Sequence, residues 1–179
     1  MDPALEAAAW DLEPLVESAG AEGVVRLLEE ARERAAAFAE HHRGQIAELG
    51  PEGLVDAMQE LAAISDLAGR AGSYAILYFA LDTSDPERGA LIQRARELGA
   101  AIETQLLFFE LEWNALPDER AEELLAVDRL DFCRHHLRSL RRYRPHQLTE
   151  PEERVVTELD VTGSSASGSS TSMAASCSV

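Results

Sequence analysis

The sequence contains no lysine. All sixteen of its basic residues are arginine, set against 33 Asp and Glu, and the formal net charge is −17. So anionic a chain cannot displace the counterions of a phosphate backbone, which excludes non-specific nucleic-acid binding. The same charge excludes attraction to an anionic membrane surface. Cysteine is nearly absent: Cys133 and Cys177 cannot form the framework of a disulfide-rich secreted scaffold. The longest uninterrupted apolar run, Tyr74 to Leu81, has eight residues, far below the ~20 that span a bilayer. The opening Met1-Asp2-Pro3-Ala4-Leu5-Glu6 is acidic and lacks the basic-then-apolar pattern of a secretory leader. These absences leave an acidic, reduced, soluble, cytoplasmic protein as the expectation, with neither nucleic acid nor membrane as a partner.

What is present divides in two. Residues 1–161 hold every Arg, Asp and Glu of the chain; residues 162–179 hold eight Ser and no charge. With 179 residues and 46% apolar residues, the first part can bury the core of one domain. The second has neither helical period nor strand alternation, and too little apolar area to offset its ordering entropy, so disorder is expected there.

Residues 1–161 read as all helix, because Ala, Leu, Glu and Arg dominate. Val24, Leu28, Ala31, Ala35 and Phe38 recur at spacings of three and four and make one apolar stripe. Gly50-Pro51 breaks it, with Pro51 suited to a first helical position. Leu54, Met58, Leu61, Ile64 and Ala68 form the next stripe, punctuated by Gly69 and Gly72. The run Tyr74–Leu81 is apolar on all sides, which predicts a buried helix and also suits a buried strand. Asp85-Pro86 predicts an N-cap and a proline at N1. The helix that follows carries Leu91, Ala95, Leu98, Ile102, Phe109 and Trp113 on one face. Leu116-Pro117-Asp118 ends it and starts a short helix, and Asp128 or Asp131 begins another that runs to about Arg142. Thr149-Glu150-Pro151-Glu152 has the form of a capping box, opening a last helix to about Asp160. No repeat appears at solenoid periods.

Candidates for chemistry are few. His41 and His42 are adjacent, so on a helix they point about 100° apart and share one ion poorly. No H-E-x-x-H occurs. Asp131 and His135, four apart, could supply two metal ligands but lack a third, and such a pair is commonly plain helix support. Arg134, Arg138, Arg141, Arg142 and Arg144, with Tyr143 among them, form the one basic cluster. It suits a carboxylate or phosphate, or equally the cations that favour a helix C-terminus, and the second reading is preferred at this net charge. Cys133 reads as a small buried residue beside Phe132. His135 and His136 are too near it to make a persuasive Cys–His pair, and Ser65 and Ser73 have no His/Asp pattern nearby. Neither G-x-x-x-x-G-K-[ST] nor G-x-G-x-x-G is present. From its own residues the chain carries no catalytic, cofactor-binding or metal-binding site.

The order of several segments resembles the N-terminal region of oligoendopeptidase F-like zinc metallopeptidases, of the thimet oligopeptidase-like clan. The matching pieces are Trp10-Asp11-Leu12, Tyr74-Ala75-Ile76-Leu77-Tyr78, Phe108-Phe109-Glu110-Leu111-Glu112-Trp113, and Tyr143-Arg144-Pro145-His146-Gln147-Leu148-Thr149-Glu150-Pro151-Glu152-Glu153 before Thr162-Gly163. They span about residues 10–165. The resemblance implies an all-α, multi-helix N-terminal lobe that forms one wall of a substrate channel for short peptides. It also implies zinc in the intact family, held by two His of H-E-x-x-H and a later Glu. All of those lie beyond position 179, so none transfers to this chain, which is expected to be inactive alone, without its catalytic lobe and with a disordered tail. Family members continue after Thr-Gly with a segment resembling Ala-Trp-x-Arg-Leu-Phe-Asp-Glu. GC-rich codons for Ala166 to Met173, read out of register, spell Leu-Arg-Leu-Phe-Asp-Glu-His, so the tail reads as a frameshift. The alternative is a free-standing acidic helical protein-interaction module; an enzyme built on Asp131 and His135 ranks last.

Overall fold

The computed structural model describes residues 11–163. Six helices carry them: α1 (Gly20–His42), α2 (Pro51–Leu81), α3 (Pro86–Ala115), α4 (Asp118–Leu125), α5 (Arg134–Tyr143) and α6 (Glu150–Gly163). Short 3₁₀ turns, at Glu13–Val16, Ile46–Glu48, Asp128–Leu130 and Arg144–His146, fill the connections. No strand occurs among the described residues, and the all-α expectation holds. Disorder is the expectation from residue 162, but α6 runs on through Thr162 and Gly163; the expectations for residues 164–179, and Trp10, lie outside the described residues.

The long helices run up, down and up. Glu17, just before α1, pairs with Arg70 at 3.4 Å, and His42 at the other end of α1 lies 3.7 Å from Glu60, so α1 and α2 are antiparallel. Arg94 meets Glu29 at 3.3 Å and Arg43 reaches the Gln105 carbonyl at 3.5 Å, so α1 and α3 run the same way. The predicted stripes face inward. Val24, Leu28, Ala31, Ala35 and Phe38 are buried, as are Leu54, Met58 and Ile64 on α2 and Ala95, Leu98, Ile102, Phe109 and Trp113 on α3. Phe38 sits at the meeting point, 5.8 Å from the Phe108 ring and 6.2 Å from the Phe109 ring. Burying one such side chain contributes ~1.5–3 kcal/mol.

Helix starts obey local rules with two exceptions. Pro51 is the first residue of α2. Asp85 caps α3, its Oδ1 accepting from the Glu87 N–H at 2.8 Å and the Arg88 N–H at 3.4 Å. Neither Asp128 nor Asp131 caps α5, which begins at Arg134 after Cys133. Asp131 instead pairs with Arg134, because three residues on one turn bring carboxylate and guanidinium together. The box at α6 is half made: Glu152 accepts from the Thr149 N–H, but the Thr149 hydroxyl donates to Glu152 itself rather than capping an amide.

The run Tyr74–Leu81 is helical but not buried throughout. Tyr74 and Ala75 are inside, whereas Ile76 is 58% and Leu81 66% exposed. It is the end of α2, one side of which projects past its neighbours, so an apolar run can look buried in sequence without having a partner on every face. Gly69 and Gly72 do not interrupt α2 either.

Gly23 is required by a close approach. The turn Glu13–Val16 crosses the start of α1, and a Cβ on Gly23 would lie 2.7 Å from the Val16 carbonyl oxygen and 2.9 Å from the Val16 Cβ. At Gly69 a Cβ would meet nothing within 4 Å. Alanine gains ~1 kcal/mol over glycine in a helix interior, and overpacking costs ~1–3 kcal/mol. Gly69→Ala is therefore expected to raise the urea-unfolding free energy by ~0.5–1 kcal/mol. Gly23→Ala is expected to lower it despite the better helix former, and equal gains from the two variants would contradict the close approach.

Candidate functional site

The end of α3 is where most of the smaller elements meet. Trp113 is fully buried, and its indole N–H donates to the Leu137 carbonyl at 2.9 Å. Arg141 donates to the Trp113 and Leu116 carbonyls, each at 2.8 Å, and pairs with Asp118. Trp113 lies in the last turn of α3, where a helix leaves its carbonyls short of partners, and its oxygen also accepts from the N–H of Leu116, the residue that ends the helix, at 3.3 Å. Arg134 donates to the carbonyl of Leu125, the last residue of α4, and to that of Val127 just beyond it, both at 2.9 Å.

Four of the five cluster arginines, Arg134, Arg138, Arg141 and Arg144, are thus engaged by the fold, while Arg142 is exposed. Arg138 pairs with Glu122 at 2.8 Å and Arg144 with Asp118 at 3.3 Å. These contacts hold the Glu122 and Asp118 carboxyls below the ordinary range, the Arg138 and Arg141 hydrogen bonds being the largest causes. The preferred reading of the cluster, cations serving helix ends, is what the structure contains. Asp131 and His135 are not brought together as ligands, since Asp131 is engaged by Arg134. Cys133 is buried, its thiol directed to the Leu130 carbonyl at 3.6 Å. His136 is half-buried, and burial, followed by the charge of His135, lowers its affinity for a proton. His42 packs on Phe38 with ring centroids 4.5 Å apart, while His41 stands perpendicular to it and exposed. Burial of His42 lowers its pKa, helped by His41 and opposed by Glu60. Among the described residues no three His, Cys, Asp or Glu are grouped so as to hold a metal ion.

Between the last turns of α3 and the segment that starts α6 the surface forms a shallow, open groove. Leu111, Asn114 and Ala115 form one side, and Gln147, Leu148 and Thr149 the other. Arg43 holds the two helices together, stacking 4.7 Å over the Phe108 ring and pairing with Glu150 at 2.9 Å. Glu112 fixes the connection after α1, accepting from the N–H groups of Gly44 at 2.7 Å and Ile46 at 3.3 Å. Asn114 is 1% exposed, and neither its Oδ1 nor its Nδ2 has a hydrogen-bond partner; nor does Gln147 Nε2. Sequence reasoning missed Asn114 and Gln147. The available signal was a lone carboxamide directly after Trp113 on an otherwise apolar face.

Two apolar surfaces lie outside the groove. Ile76, Leu77 and Leu81 are exposed on α2, and Val155, Val156 and Leu159 on α6. No helix among the described residues is long and apolar enough to cross a membrane.

Residues 112–174 match the family model described as oligopeptidase F. The match covers about a third of the chain, and that stretch is similar to an oligoendopeptidase F-like N-terminal region. The matched stretch takes in the end of α3, all of α4, α5 and α6, and every groove residue named above except Leu111. No curated protein and no solved structure gives a significant match.

Glu110 and Glu152 make opposite contributions to the α3–α6 contact. Burial pushes the Glu110 carboxyl above its ordinary value, and the Glu153 charge adds to this. The Thr149 hydroxyl and then its N–H hold Glu152 below its ordinary value. A raised carboxyl costs stability while ionised, and that cost is relieved as pH falls through the raised value. A lowered one adds stability above the ordinary value and loses it as pH falls through the lowered value. Glu110→Gln is therefore expected to melt higher than the parent at pH 7, with the gap closing as pH falls through the carboxylate range. A gap independent of pH would show that Glu110 carries no such strain.

Proposed function

We propose that this chain is the N-terminal lobe of an oligoendopeptidase F-like zinc peptidase, forming one wall of its channel for short peptides. The hydrolytic zinc site belongs to a separate catalytic lobe, and this chain alone is inactive. The family match over residues 112–174 carries this reading. The exposed faces at Ile76, Leu77 and Leu81 and at Val155, Val156 and Leu159 support it, since apolar surface of this kind suits a partner lobe. The Ser-rich segment after Gly163 belongs to the same proposal, as a departure from the frame that encodes the rest of the enzyme.

The experiment is the nucleotide sequence from codon 155 onward, translated in all frames. An alternative frame continuing into an Arg-Leu-Phe-Asp-Glu-like segment and a later H-E-x-x-H is the expected result. Closure of every frame shortly after Val179 would overturn it and favour a free-standing interaction module. At the protein level, the purified chain with added zinc is expected to leave an internally quenched peptide uncut and to retain no stoichiometric metal. Zinc-dependent turnover would contradict the lobe reading.

A further inference from the structure

We propose that the outward face of α5, with the aromatic residues at its two ends, is a docking surface for an acidic segment of another polypeptide, one that carries Asp or Glu beside an apolar side chain. This surface is independent of the lobe reading.

Residues 132–149 contain five Arg and three His and no Asp or Glu. In a chain of net charge −17 with 33 acidic residues, this is the longest acid-free stretch ahead of the uncharged tail. Leu137 and Leu140 point α5 into the core. His135, Arg138 and Arg142, at spacings of three and four, form an exposed cationic row on its other side. An aromatic side chain stands at each end of the row: Phe132, just ahead of the helix, is 41% exposed, and Tyr143, its last residue, 64%. The acidic side chains that pair with this segment are used up. Glu122 is held by Arg138 at 2.8 Å, Asp118 by Arg141 and Arg144, and Asp131 by Arg134. Neither His135 nor Arg142 has a hydrogen bond or ion pair among the described residues. With two carboxylates for every guanidinium in the chain, an arginine left open beside exposed aromatics is the feature that points to a partner.

The chemistry of the row selects the occupant. A guanidinium takes a carboxylate through two parallel N–H bonds. Arginine and tyrosine are also the side chains that anchor protein interfaces. The exposed Phe132 and Tyr143 rings favour an apolar side chain next to that carboxylate. The chain's own tail cannot be the partner, since residues 162–179 hold no Asp or Glu. A second copy brings a net charge of −17 of its own, and broad contact would set carboxylates against carboxylates. A short segment avoids this, because charges beyond ~8 Å are largely screened at physiological ionic strength and only the local cations count.

The test is a titration of the isotopically labelled full chain with acetyl-Glu-Asp-Leu-Phe-Glu-Asp-amide, followed by two-dimensional nitrogen–proton NMR. The expected result is saturable displacement of backbone amide signals within residues 132–146, with an affinity that falls as salt is added. Arg142→Ala should weaken binding by about tenfold, the worth of one charge-assisted contact. Tyr143→Ser, which leaves the net charge alone, should weaken it by about threefold. Arg96→Ala removes the same charge from an exposed position on α3, seventeen residues before Trp113 and so ~25 Å away along the helix. It should leave the affinity within about twofold. Should Arg142→Ala not fold, Tyr143→Ser still decides. No saturation, equal losses in Arg142→Ala and Arg96→Ala, or the same displacement by acetyl-Gln-Asn-Leu-Phe-Gln-Asn-amide would overturn the proposal. Saturation of the same signals by inorganic phosphate would also overturn it, making the face a site for a free anion. So would signals that move on dilution without peptide, which would assign the face to a second copy of the chain.

Discussion

The arrangement depends on how Trp113 is held. A fully buried indole at the end of a thirty-residue helix is a large apolar anchor. Its N–H must find an acceptor, and the Leu137 carbonyl on α5 provides one. Arg141 closes the joint from the other side, with its guanidinium 5.8 Å from the indole centroid and its N–H groups on the Trp113 and Leu116 carbonyls at the end of α3. One contact thereby fixes where α3 stops, where α4 turns away and where α5 lies. The chain then returns through Arg144–His146 to α6, which packs back along α3. The groove lies beside this joint.

A chain that uses arginine alone for its cations gains from the shape of the side chain. Arg141, Arg134 and Arg120 each reach main-chain carbonyls, the last donating to Leu49 at 3.0 Å. A planar fork can meet two acceptors and still keep a salt bridge, as Arg141 does with Asp118. A lysine ammonium would meet them as a point charge without that geometry. The net charge of −17 therefore coexists with well-neutralised helix ends, and the excess of carboxylates lies on solvated faces.

Functional meaning concentrates where the family match and the tertiary joint coincide. Glu112, Trp113 and the segment Tyr143–Glu153, far apart in sequence, lie within the family match, and Glu112 and Arg144 to Glu150 border the groove. The exposed apolar residues of α2 and α6 are a different kind of feature, surfaces that call for cover rather than for a ligand.

Most of the helices were legible in residue spacing. The stripes from Val24 to Phe38 and from Ala95 to Trp113 mark their inward faces because burial selects one side of a 3.6-residue period, and Asp85 announces its own cap because an N-cap is a local contact. The start of α5 was not legible, because Asp131 had two local uses, capping an amide or pairing with Arg134, and the sequence does not rank them. The exposure of Ile76 and Leu81 was hidden for a related reason: an apolar run states that burial would be favourable, not that a neighbour is present. The role of each cluster arginine was open between ligand and helix end until Trp113, Leu116, Leu125 and Val127 were placed beside them. Sequence by itself determined an all-helical, acidic chain with its stripes and breaks, since those follow from contacts within a few residues. Only the tertiary structure decided that Asn114 and Gln147 share a groove with open hydrogen-bonding atoms, because 33 residues separate them and their proximity depends on α4, α5 and the Trp113 joint.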